Sequence, residues 1–254
     1  MPWPQYKLLS MSVDIVDLAK FYATPLGQYV QGHLAQSIYD IWSPPHGDVL
    51  LGYGYGTSLF SDVWPDAEWQ FLMPAQTGVM VGPEGLAGHV TLVEESGLPL
   101  RDDSVNRFIG MHALETARHV ETLLDEVWRV VTPNGRVLLV VPNRRGLWAR
   151  GDATPFGSGR PFSRSQLRVL MTDAGFNILR LQPALMLPPI MPIAFMQKLS
   201  SVDRALQLLV PQLGGVWLVE AVKKVPAPLK KKRRFGLAAG GWVRPVFSQN
   251  LPRR

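Results

Sequence analysis

His112 and Glu115 are the residues of this chain best suited to moving a proton. An imidazole can accept a proton at neutral pH, and a carboxylate three residues on would share its helix face. The plainer reading has His112 capping a strand end and Glu115 supporting a first helical turn. A second group, Asn143, Arg144, Arg145, Trp148 and Arg150, gathers guanidinium forks and hydrogen-bond donors in one short stretch. Such a set can clamp an acidic molecule, or else form a solvated loop with Trp148 packed onto the body. A third group is Gly52-Tyr-Gly54-Tyr-Gly56-Thr57-Ser58. Glycines here let backbone approach a ligand, and a following helix would turn free N–H groups toward an anion. The same glycines also suit a tight turn that binds nothing. His33, His46, His89 and His119 are too scattered for a metal site, and no HxxxH or carboxylate cluster has ligand spacing, so no catalytic metal is expected.

These groups need elements to hold them. Thr24-Pro25 makes an N-cap and first-turn pair, and Leu26, Val30, Leu34, Ile38 and Ile41 predict a helix that Ser43-Pro44-Pro45 stops. Asp48-Val-Leu-Leu then reads as a short strand feeding the glycine run. Strands are expected at 69–73, 90–93 and 106–111. Ala113, Ala117, Val120, Leu124, Val127 and Val131 predict one apolar helix face, ended by Pro133-Asn134-Gly135. Residues 136–141 form a near-continuous apolar strand, as in a parallel sheet covered on both faces. Ser163 and Gln166 have capping-box spacing ahead of Leu167, Leu170, Met171 and Ala174, and Gly175 breaks that helix. A sixth strand at 176–181, a helix near 201–210 and a last strand at 216–222 complete an α/β layered sheet. His112 then follows strand four and Asn143 follows strand five, at the sheet edge where α/β proteins bind ligands.

Composition bounds the possibilities. A chain of 254 residues with 46% hydrophobic and 18% charged content buries a core and is not disordered. The most apolar run, 181–197, is interrupted by prolines at 183, 188, 189 and 192, which argues against a membrane span. With no cysteine there is neither disulfide nor thiolate metal site, and residues 1–10 lack the pattern of a signal peptide, so a cytoplasmic location is expected. The net charge of +6 is unevenly spread, because ten of the 26 Lys and Arg lie in 223–254, where no acidic residue occurs. We therefore divide the chain into a helical lead-in at 1–47, a body at 48–224 and a basic tail at 225–254. Lys230-Lys-Lys-Arg-Arg234 could bind RNA, an anionic membrane surface or an acidic partner through charge, or could simply solvate the tail. Phe235, Trp242, Val243, Val246 and Phe247 exceed what solvation needs.

Two longer runs carry a family resemblance. Leu98-Pro-Leu-Arg-Asp-Asp-Ser-Val-Asn-Arg-Phe and Leu124-Asp-Glu-Val-Trp-Arg-Val-Val-Thr-Pro-Asn-Gly-Arg, in that order, resemble class I S-adenosylmethionine (SAM)-dependent methyltransferases, particularly type 11. Ser163-x-x-Gln-Leu and Asp173-Ala-Gly-Phe add to the likeness. Pro142-Asn-Arg-Arg-Gly-Leu-Trp-Ala-Arg and Thr154-Pro-Phe-Gly are similar to a poorly characterised proteobacterial group. The resemblance implies a doubly wound, mostly parallel seven-stranded Rossmann-like sheet with helices on both faces and an antiparallel last strand. It also implies SAM as cofactor, a small acceptor near His112 that the arginines would clamp if it is anionic, and a methionyl carboxylate held at the glycine turn by Gly52, Gly54 and Gly56. Glu94 or Glu95 would meet the adenine amino group. The chain departs from the pattern at Gly52, where an acidic residue is usual, at Ser58 for the final glycine, at Asn106 for the usual Asp of strand four, and after strand two. There Met73-Pro-Ala-Gln76 offers no carboxylate, only Gln76 or Gln70 as a partial substitute for the ribose-binding acid, and each lost charge-assisted bond costs on the order of 1.5 to 3 kcal/mol. Two rival readings follow: a methyltransferase-like binding or partner protein with impaired cofactor affinity, and an RNA or membrane adaptor acting through the tail. A dinucleotide oxidoreductase would need glycine at Thr57 and an acid ending strand two.

Overall fold

The computed structural model describes residues 14–43, 46–56, 63–64, 66–78, 90–150 and 154–224. The basic tail, Thr57 and Ser58, and His89 lie outside them. Helices α1 (Ile15–Ala23) and α2 (Pro25–Ile41) come first. They are followed by β1 (Leu50–Gly54), β2 (Trp69–Pro74), β3 (Val90–Val93), β4 (Val105–Met111), α3 (Val120–Val130) and β5 (Val131–Pro142). Then come α4 (Arg164–Asp173), β6 (Phe176–Ala184), α5 (Ile193–Lys198), α6 (Ser200–Leu209) and β7 (Val216–Lys223). The strands form one seven-stranded sheet in the order β3-β2-β1-β4-β5-β7-β6. β1 to β5 are parallel, and β7 runs antiparallel between β5 and β6.

Alternation along the strands sends side chains to two cores. Leu50, Ile109, Leu138 and Val140 face α1 and α2 together with Trp42 and Trp148. Leu51, Tyr53, Val137, Leu139 and Val141 face the opposite side, where Leu123, Leu124 and Val127 of α3 and Leu167 and Met171 of α4 close over them. Both faces of the central strands are covered, which is why these read as continuous apolar runs, while the edge strands β3 and β6 are only partly buried. The expected α2 and the Ser163–Gln166 capping box are present as read. Three expectations shift: the helix predicted from Ala113 begins only at Val120, Pro133-Asn134-Gly135 lies inside β5 rather than in a turn, and Gly52 and Gly54, expected in a turn after a strand at 48–51, belong to β1 itself. Residues 113–117 instead make an isolated turn, in which Ala117 N–H donates to Ala113 O and Thr116 Oγ1 donates back to His112 O. Among the described residues no helix is long and apolar enough to cross a membrane.

The two runs behind the family resemblance are tied to each other. Arg129 donates to Leu98 O at 3.0 Å, Leu100 O at 2.9 Å and Asp102 Oδ1 at 2.7 Å, while Glu126 accepts Leu98 N–H at 2.8 Å and also holds Arg129. The Arg129 hydrogen bond holds the Glu126 carboxyl below its ordinary pKa. Arg129→Ala strips these carbonyls of their donor and is expected to lower unfolding stability by about 2 kcal/mol, measured by urea denaturation.

Asp203 of α6 is fully buried. It accepts Met186 N–H at 2.9 Å, Leu187 N–H at 3.3 Å and the Gln207 amide at 3.1 Å, and His33 Nε2 of α2 lies 3.3 Å from Oδ2. Burial by itself raises a carboxyl pKa, but His33 and these N–H groups outweigh it and hold Asp203 below its ordinary value. A group depressed in the folded state stabilises above its unfolded pKa, near ~4, and that contribution is lost as pH falls through the folded value. Thermal unfolding midpoints should therefore drop below pH ~4. Asp203→Asn should flatten that decline while costing about 3 kcal/mol at neutral pH.

Candidate active site

The sheet order reverses direction at β1, so the crevice beyond the carboxyl ends of β1 and β4 is where a doubly wound sheet opens to ligands. Gly52 sits inside β1, buried and in register with Phe71 and Ile109. Gly54 ends the strand at φ 82°, and a Cβ there would lie 2.2 Å from Met111 O and 3.4 Å from His112 O. The turn after β1 and the end of β4 thus touch through bare backbone. Gly56, also buried, follows Tyr55, whose ring stacks on Tyr22 of α1 at 5.3 Å.

His112 caps β4 in the left-handed region at φ 52° and is buried, as is Glu115. Its Nδ1 lies 3.0 Å from Glu115 Oε1, and its Nε2 lies 2.8 Å from the Tyr22 hydroxyl. Burial, then the charge of Glu115 and the neighbouring Tyr55, push the Tyr22 pKa far up, so the phenol keeps its proton. In the tautomer with the ring proton on Nδ1, the imidazole donates to Glu115 and Nε2 accepts from the Tyr22 hydroxyl. The chain runs from phenol through imidazole to carboxylate, and Glu115 Oε2 remains buried without a partner. Phe156 packs on the imidazole at 5.2 Å. The sequence brought His112 and Glu115 to notice but not Tyr22, whose signal was the spacing of Ile15, Leu18 and Tyr22 behind Asp14.

At the ends of β2 and β3 the polar groups serve one another. Glu95 is buried, accepts the N–H groups of Arg118 and His119, and is bonded by the Gln76 amide. Glu94 is exposed. Tyr53 is buried with its hydroxyl unpartnered, and burial followed by the charges of Glu95 and Glu94 drives its pKa up. The loop after β5 divides. Asn143 is buried and donates to Gln212 O and Gly214 O, and Trp148 is buried and donates to Leu187 O. Arg144, Arg145 and Arg150 are exposed. The structure thus brings together His112, Glu115 and Gly54, and separately Gln76 and Glu95. Asn143 and Trp148 spend their donors on the protein. Among the described residues no group of His, Asp or Glu could hold a metal ion.

No family model and no curated protein matches this sequence. Solved structures do. A SAM-dependent methyltransferase of Thermotoga maritima, described as a possible histamine N-methyltransferase, superposes with a TM-score of 0.60 at 17% identity, over 83% of this chain and 96% of that one. A SAM-dependent methyltransferase of Archaeoglobus fulgidus gives 0.57 at 14% identity, over 82% and 98%. The chain has the class I methyltransferase fold. The same fold is shared by the cyclase SpnF, at a TM-score of 0.52 and 21% identity over 76% of this chain and 80% of that one. Within this fold the reaction must therefore be argued from the site.

Proposed function

We propose that this protein is a SAM-dependent methyltransferase acting on a small molecule from which His112 removes a proton. The observation that carries the reading is the direct abutment of the glycine turn on a buried, hydrogen-bonded base: the missing side chain of Gly54 faces the Met111–His112 backbone. The residues present fit the nucleoside through main chain more than through charge. Main-chain groups at Gly54 and Gly56 stand at and just past the carboxyl end of β1, the exposed Glu94 would meet an amino group, and the Tyr53 hydroxyl is a buried polar atom with no partner among the described residues. Gln76 would stand where a ribose carboxylate is usual, and its bond to Glu95 reduces what it can offer.

When bound, SAM supplies a methyl group for in-line displacement from its sulfonium, a reaction driven largely by alignment and desolvation. The chain supplies the alignment and the proton path. Tyr22 yields its hydrogen bond as the acceptor arrives, Nε2 takes the acceptor's proton, and Glu115 holds the other ring N–H and stabilises the imidazolium. Tyr55, Tyr22 and Phe156 keep water from the imidazole.

Calorimetric titration of the full chain with SAM tests the first half, with saturable heat and a raised melting temperature expected. No heat and no thermal shift at millimolar SAM would leave a binding protein that kept the fold and lost the cofactor.

A further inference from the structure

Beyond the carboxyl end of β5, on the α4 side of the sheet, lies a cleft of about 530 Å³ whose lining includes Arg145, Arg164, Arg168, Asn143, Gln212 and Trp217. We infer that it binds the phosphoryl group of a small-molecule ligand. Three arginines line it, and among the described residues none of them is ion-paired and no lining residue is acidic. Trp217 forms part of the wall, only 3% exposed, and its indole N–H is buried with no partner among the described residues. An unsatisfied buried donor beside uncompensated cations is the complement of a missing acceptor. The cleft is also built in advance: Asn143 Nδ2 clips Gln212 O at 2.9 Å and Gly214 O at 2.7 Å, while its Oδ1 accepts Arg145 N–H at 3.1 Å. One buried side chain therefore fixes both the wall at 211–213 and the start of the arginine loop. The first turn of α4 adds the positive end of a helix dipole.

The excess of charge selects the ligand. Arginine forks match both carboxylate and phosphate oxygens, but a phosphate monoester carries about −1.5 to −2 near neutral pH, against −1 for a carboxylate. Three unopposed cations favour the former. The cleft is separate from the His112 chain, and the inference does not depend on methyl transfer.

The test uses the full chain without SAM. Inorganic phosphate is titrated against acetate at matched low ionic strength while the indole ¹⁵N–¹H resonances of the eight tryptophans are followed, Trp217→Phe identifying the relevant one. Phosphate should shift the Trp217 resonance saturably, at a concentration at least tenfold below that needed for acetate. Arg145→Gln with Arg164→Gln should raise the apparent Kd tenfold or more, and Arg168→Gln alone should raise it measurably. All three side chains are exposed, so the melting temperature should hold. A Trp217 resonance that phosphate does not move, equal response to acetate, or unchanged affinity in the arginine variants would each overturn the assignment. The last would direct attention to the basic tail. None of these results bears on SAM binding, which the calorimetry measures separately.

Discussion

Methyl transfer by His112→Asn is expected to run about 10²- to 10⁴-fold slower than by the wild type, with SAM affinity unchanged. Asparagine is the informative replacement because His112 sits at φ 52°, a region that Asn adopts with little strain while Ala or a branched residue does not. Loss of rate then reports the imidazole rather than a collapsed turn. Glu115→Gln should cost less, about tenfold, since an amide oxygen can still orient Nδ1–H but no longer offsets the imidazolium charge. Tyr22→Phe separates gate from catalyst: it frees Nε2 from the 2.8 Å bond without touching the base, so kcat should hold or rise. A His112→Asn enzyme with wild-type kcat would remove the base from the proposal and leave the cofactor half standing.

The central strands were legible because burial on both faces forces apolar runs, and 136–141 falls inside β5; the edge strand β3 coincides with 90–93 although Thr91 and Leu92 are exposed. The turn at 113–117 was not. Ala113 and Ala117 satisfy helical spacing, yet the backbone leaves the helix because His112 takes a left-handed φ and Arg160 N–H captures Glu115 O at 3.0 Å. That capture comes from a residue far along the chain, so no local pattern reports it. Gln76 and Glu95 show the same limit. Each read as a group facing a ligand, and only the tertiary fold brings them together at the N-terminal side of α3, where Glu95 satisfies the N–H groups of Arg118 and His119. Asn143 and Trp148 were noticed for their donors, which the fold uses to clip 212–214 and Leu187. What composition could not conceal were the exposed arginines beside them, because unpaired charge has no structural use in a core.

Gly54→Ala is expected to abolish detectable SAM binding and to lower stability by about 3 kcal/mol, since a left-handed φ and an overpacked contact each cost on the order of 1 to 3 kcal/mol. The added Cβ would lie 2.2 Å from Met111 O, and because that oxygen belongs to the paired backbone of β4 it cannot swing away. Either β1 and β4 part at their carboxyl ends or the turn at Tyr55 rotates, and both change the surface offered to a ligand. Gly47→Ala is the matched control. It has a similar φ of 71° but nothing within 4 Å of the added atom, so it should show only the conformational cost, about 1 kcal/mol, with binding intact. The difference between the two variants isolates the collision. Because His112 O is 3.4 Å from the same point, Gly54→Ala should impair both binding and proton removal, whereas His112→Asn impairs only the second. Calorimetry on both variants makes the distinction, and wild-type SAM affinity in Gly54→Ala would move the nucleoside pocket away from the crossover between β1 and β4.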